Sequence, residues 1–178
     1  MDSLSINSEM LHRIAESTAR EAFEVFGPKV EFLTWTNEEY GQFCVMRGVV
    51  PPGVVVPLHK HPDYEDFLIL SGAQQVLIET EHGLEWHDAR AGDYVRIPGG
   101  QLHAHRNVSD EPAVDLVVTT LRMGEFFTEV GLPVTAEPMP VTPERLGHFL
   151  ATCQKYGYTL GTVEENAAVG IDLPVFAG

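Results

Sequence analysis

Between residues 30 and 121 the chain is a succession of short runs of β-branched, aromatic and aliphatic residues, each closed by turn-forming residues. The runs cover 30–36, 40–50, 53–59, 65–71, 74–80, 84–88, 93–97, 102–107 and 112–121. Asn37, Gly41, Pro51-Pro52-Gly53, Gly72, Glu81-His82-Gly83 and Pro98-Gly99-Gly100 punctuate them. Many short strands at regular spacing, separated by such turns, are the pattern of an antiparallel sandwich or barrel. The expectation is therefore an all-β fold, and a double-sheet jelly roll answers the description.

The two ends read differently. Residues 7–26 have helical spacing: Asn7 or Ser8 caps, Glu9 sits in the first turn, and Leu11, Ile14, Ala15, Thr18, Ala22 and Phe26 make one stripe before Gly27-Pro28 ends it. This predicts a packing helix on the outside of the sheet. After Leu121 a short helix is expected over Glu125 to Val130, then a proline-bearing connection from Gly131 to Pro140. A second helix follows from Thr142 to Tyr156, capped by Thr142, started by Pro143 and ended by Gly157, with Leu146, Phe149, Leu150 and Cys153 on one face. The tail from Tyr158 to Gly178 shows little periodicity and either wraps the barrel or reaches a neighbouring subunit. At 178 residues the chain suits one domain with terminal additions: an N-terminal helical segment over 1–28, a β-barrel over 29–122, and a C-terminal helical extension and tail over 123–178.

Charge narrows the partners. With 26 acidic against 11 basic residues the formal net charge is −15, and such a surface repels phosphate backbones and anionic lipid. Nucleic acid and membrane are thus excluded as expected partners. No apolar run reaches the length of a membrane span, and MDSLSINSEM lacks a basic region followed by an apolar one. Cys44 and Cys153 read as reduced core thiols of a cytoplasmic protein.

Two stretches carry the chemistry. In GVVVPLHKHPDYEDFLILSG, residues 53–72, His59 and His61 alternate along an extended chain, so both imidazoles face one side. Pro62-Asp63 is a turn, and Glu65 opens the next apolar strand. In GDYVRIPGGQLHAHRN, residues 92–107, His103 follows a second turn and offers a fourth donor from a separate strand. Three neutral nitrogens and one carboxylate suit one divalent transition metal, Fe, Ni, Co, Mn, Cu or Zn, and disfavour Ca or Mg. Four protein ligands leave positions open for water, O2 or an anionic substrate oxygen, so the metal can act as Lewis acid. Glu65, bound through one oxygen, has a second oxygen free for general-base work.

Other polar residues take plainer readings. His105 shares a strand face with His103, and its interior ring either touches substrate or a metal ligand or is a hydrogen-bonded barrel histidine. His82 and His87 flank a hairpin turn and are expected in solvent, Arg47 is expected to point outward, and Asp63, Tyr64 and Asp66 are read as structural. His12 and His148 lie on the terminal helices without an assigned role.

Together the stretches resemble the paired motifs of the cupin superfamily. The first motif, G-x5-H-x-H-x3-E-x6-G, is met at Gly53, His59, His61, Glu65 and Gly72. The second, G-x5-P-x-G-x2-H-x3-N, is met at Gly92, Pro98, Gly100, His103 and Asn107. The resemblance implies a double-stranded β-helix, a jelly-roll cupin barrel, with His59, His61, Glu65 and His103 as metal ligands. Residues 121–161, with Phe126-Phe127, Glu129-Val130-Gly131 and the helix ending in Tyr156-Gly157, are similar to the extension of quercetinase-like monocupins. That likeness implies a homodimeric dioxygenase acting on a small molecule with O2, cleaving the heterocycle of a flavonol with Glu65 as base. His105 departs from it, standing where similar sequences carry an aromatic ring, and the N-terminal helix is longer than the likeness leads one to expect. Two other functions fit the same ligands: an isomerase or lyase using the metal as Lewis acid, and a non-catalytic small-molecule binder. No nicotinamide, flavin or nucleotide fingerprint is present.

Overall fold

The computed structural model describes residues 22–34, 43–134 and 140–173. Along the chain run β1 (Ala22–Glu24), β2 (Lys29–Phe32), β3 (Phe43–Val50), β4 (Val55–Lys60), β5 (Glu65–Ser71), β6 (Ala73–Thr80), β7 (Gly83–Arg90), β8 (Tyr94–Ile97), β9 (His103–Arg106) and β10 (Ala113–Thr120). The helix α1 (Leu121–Val130), strand β11 (Leu132–Pro133), helix α2 (Pro143–Tyr156), strand β12 (Thr159–Leu160) and helix α3 (Val163–Ala168) complete it. One sheet has the order β11-β1-β2-β3-β10-β5-β8 and the other β12-β4-β9-β6-β7. The result is a jelly-roll sandwich of antiparallel strands, as the run-and-turn pattern predicts.

Alternation decides which side chains meet between the sheets. On β3, Cys44, Met46 and Val50 are buried while Val45, Arg47 and Val49 lean outward. On β10 the inward positions are Ala113, Asp115, Val117 and Thr119. Met46, Phe67, Ile69, Val76, Ile97 and Val117 join one apolar cluster, each side chain contributing roughly 1.5–3 kcal/mol by leaving water. Arg47 is outward as expected, 3.7 Å from Glu31 across the β2–β3 pair.

The N-terminal helix is the main correction. Most of 7–26 lies outside the described residues, but its last part is strand: Phe23 pairs with Val30 of β2 and Pro133 of β11. The Phe23 ring also packs edge to face on Phe32 at 5.9 Å, so ladder bonds and aromatic packing override the helical spacing of Ala22 and Phe26. Phe26 itself sits in the following turn at φ 53. Elsewhere α1 starts earlier than expected, because Thr120, the last residue of β10, accepts a bond from Met123 N and caps it. For α2 the expected Thr142 cap and left-handed Gly157 (φ 76) are both present, although Leu150 is 47 % exposed and faces away from the Phe126–Cys153 cluster.

The tail wraps the barrel. Thr159 and Leu160 pair with Lys60 and His59 of β4, and Asn166 accepts from Leu58 N at 2.9 Å while donating to the Gly161 and Thr162 carbonyls. Ile171 then fills a second cluster with Leu58, Leu77 and Ala104. Strands β1, β11 and β12 thus come from the terminal segments and extend both sheets. Both cysteines are buried and free. Among the described residues no helix is long and apolar enough to cross a membrane.

Candidate metal centre

Four elements converge at one end of the barrel. His59 lies on β4 directly opposite His103 on β9, and the ladder shifts register between Val56 and His59, around Pro57, which has no N–H to give it. Glu65 opens β5, paired with Ile97 and Thr119. Gly99 brings the two motif turns together: a Cβ there would sit 2.1 Å from the Pro62 carbonyl oxygen, and its absence lets Gly100 N donate to His61 O at 2.6 Å. Packing, rather than sequence neighbourhood, assembles the group.

Each of the three histidines is oriented the same way. His59 Nδ1 donates to Pro57 O at 2.7 Å, His61 Nδ1 to Asp63 O at 2.9 Å, and His103 Nδ1 to Gln101 O at 2.9 Å. A carbonyl can only accept, so Nδ1 keeps the proton and Nε2 carries the free lone pair. Such anchoring is how metal-binding imidazoles are held in one tautomer and one orientation. Nε2 of His61 and Nε2 of His103 are buried without any hydrogen-bond partner. They lie 3.9 and 3.6 Å from Glu65 Oε2, too far for a hydrogen bond and near the spacing of donors around one ion.

Asp63, read as structural, is buried and anchors the turn: Arg122 grips its carboxylate at 3.2 and 2.8 Å and Thr120 donates to it, while its carbonyl orients His61. His82 and His87 are in solvent, and exposed His148 places Nε2 2.9 Å from the Glu129 carbonyl. His12 lies outside the described residues. His105 is 6 % exposed, its Nε2 4.0 Å from Glu65 Oε2.

Electrostatics presets the cluster for a cation. Burial, then the neighbouring imidazoles of His103 and His61, holds His59 neutral well below the usual range. Burial likewise lowers His61 against the pull of Glu65, and takes His105 down to about 3. For Glu65 burial alone would raise the pKa, yet His103, His61 and His105 together bring it down to about 2. The neutral imidazoles of His59, His61 and His105 beside one carboxylate leave a negative cavity. Two groups of buried ligand atoms could hold a metal ion, His59-His61-His103 and Glu65-His103-His105, each with its atoms within 4.8 Å of one another. The orphaned Nε2 atoms and this donor set fit one divalent transition metal.

Residues 46–119 match the family of the cupin domain. That match runs from within β3 to within β10 and so covers most of the barrel. The chain is similar in fold to a variant of Bacillus subtilis oxalate decarboxylase, at a TM-score of 0.50 and 22% identity over 58% of this chain and 28% of that one. A structure concerned with the Mn(II) centres of Bacillus subtilis oxalate decarboxylase gives 0.49 and 27% identity, covering 56% of this chain and 27% of that one. The chain thus aligns with little more than a quarter of those longer chains. No curated protein shows a significant match.

Two features of the site escape the sequence pattern. Tyr158, just beyond α2, lays its ring 4.8 Å from that of His61 and stacks on Phe126 at 4.1 Å, so the extension roofs the cluster. Its hydroxyl is buried without a partner, and burial pushes its pKa up. Deeper in the barrel Gln74 donates to Asp115 at 3.0 Å, the other Asp115 oxygen lies against the Gly48 backbone without a well-formed hydrogen bond, and burial raises this carboxyl to about 6. Tyr158 follows a helix-terminating glycine in an aperiodic tail, and Gln74 and Asp115 stand 41 residues apart, so no local signal marks either.

Proposed function

We propose that this chain is a metal-dependent cupin enzyme in which His59, His61, Glu65 and His103 hold one divalent transition metal, and that it oxidatively cleaves an enolic or aromatic small molecule of flavonol type with O2. The observation that carries the metal reading is the shared orientation of three buried imidazoles, Nδ1 tied to a carbonyl and Nε2 turned inward, with orphaned Nε2 atoms on His61 and His103 beside one carboxylate oxygen. A bound divalent metal supplies Lewis acidity, which acidifies a substrate hydroxyl, and open positions for oxygen donors. The chain supplies orientation, enclosure and a proton acceptor. Glu65 serves first to balance the charge of the ion, and its second oxygen would accept a proton that the ion has made acidic. Tyr158 and Phe67 give the cluster aromatic walls, which suit a flat ring.

Enclosure favours a second reading. All four candidate ligands are 9 % exposed or less and Tyr158 covers them, which suits a small ligand and an isomerase or lyase that needs no O2. Oxygen uptake separates the two. The full chain, loaded in turn with Fe, Ni, Co, Mn and Cu, is offered a panel of flavonols and smaller enols in an oxygen electrode. Uptake that tracks substrate loss with at least one metal supports the dioxygenase; no uptake under any metal overturns it, and substrate turnover without uptake establishes the second reading.

A further inference from the structure

Three interior imidazoles have a partner for Nδ1; the fourth has none for either nitrogen among the described residues. His105 follows His103 by two residues on β9, so its ring enters the barrel on the same face. There it lies edge to face against Phe67 at 5.0 Å, with both ring nitrogens buried and unpartnered. A histidine serving only as packing satisfies at least one nitrogen. His105 instead directs Nε2 to 4.0 Å from Glu65 Oε2, the oxygen that also neighbours His61 at 3.9 Å and His103 at 3.6 Å. At 4.0 Å there is no hydrogen bond to account for the approach. Two donor atoms each about 2.1 Å from a common ion lie about 3 Å apart at a right angle and about 4 Å apart when opposed.

We propose that His105 is a fourth imidazole ligand of the ion, binding through Nε2 on the Phe67 side of Glu65 and forming with Glu65 and His103 a set that shares His103 with His59 and His61. The proposal rests on the metal reading above and sharpens its substrate class. A further protein donor leaves the ion one exchangeable position fewer, so the site favours a substrate that reaches the ion through a single oxygen atom rather than one that chelates it.

The test counts nitrogens on the ion directly. The full chain is labelled with 15N in its histidine rings, loaded with cadmium-113 as the spectroscopic stand-in, and examined by NMR for one-bond cadmium–nitrogen couplings. Four split Nε2 resonances, one assigned to His105, are expected; His105→Phe should keep three and bind cadmium about tenfold more weakly. Splitting at His59, His61 and His103 with none at His105 overturns this proposal and leaves the metal centre standing. Absence of splitting at every histidine overturns the metal centre and the proposal with it. The wild-type spectrum decides the matter even if His105→Phe fails to fold.

Discussion

Asn107 and the histidine cluster belong to the same pair of motifs and are equally buried, yet their polar atoms are treated in opposite ways. Asn107 Nδ2 donates to Val50 O and Glu111 O at 2.8 Å each, and its Oδ1 accepts from Ser109 N at 2.9 Å and Ser109 Oγ at 2.7 Å. Its backbone completes the ring through Val54 O and Gly53 N. In the cluster one nitrogen of each of three histidines is satisfied by the fold while Nε2 of His61 and of His103 is not. The difference separates tasks: a buried polar side chain with every atom paired holds the backbone, whereas one left open toward a common point holds something else.

The largest effect should come from Asn107→Ala. Four hydrogen bonds vanish and the buried Val50 carbonyl loses its side-chain donor, costing about 4 kcal/mol in urea unfolding while metal bound per folded chain stays the same. A cost under about 1 kcal/mol would break the contrast. Next, His103→Ala should weaken metal binding by at least about 100-fold, read by elemental analysis after dialysis, while the metal-free protein unfolds at nearly the wild-type urea concentration. Full metal retention would show that the open nitrogen of His103 is no ligand.

Asp115 sharpens the comparison, since it is half satisfied: Gln74 donates to Oδ2, while Oδ1 lies against the Gly48 backbone without a well-formed hydrogen bond. Burial raises its pKa from 3.8 to about 6. Well below pH 3.8 folded and unfolded states both hold the proton, so the group adds no pH dependence there. As pH rises from 3.8 toward about 6 the unfolded chain releases the proton first and wild-type stability falls by roughly 3 kcal/mol, then levels off. Asp115→Asn should therefore gain on wild type across that window and by a constant amount above it, in urea unfolding at pH 4 to 8. A stability difference independent of pH would show that the carboxyl ionises freely inside the barrel.

What was legible and what was not follows the range of the causes. The runs expected over 40–50, 65–71 and 112–121, which form strands at Phe43–Val50, Glu65–Ser71 and Ala113–Thr120, could be read because alternation and turn residues act over a few positions, and the spacing of His59, His61, Glu65 and His103 beside those turns made them candidates. The end of the N-terminal helix was misread because Ala22 and Phe26 keep helical spacing while Phe23 finds its partners in Val30 and Pro133. Even the side of α2 that faces the core was set by what it packs on, which left Leu150 outside.

The sequence by itself determined the sheet-forming segments, the turns between them and the chemical identity of the inward donors, because each depends on backbone preferences and side-chain direction within a few residues. Only the tertiary structure decided that Tyr158 roofs the cluster, that Asp115 meets Gln74, that Asn166 pins the tail to Leu58, and that His105 stands beside Glu65 with both nitrogens open. Those contacts join residues remote in the chain or set the environment of a side chain whose identity alone is silent, and they exist only once both sheets have closed.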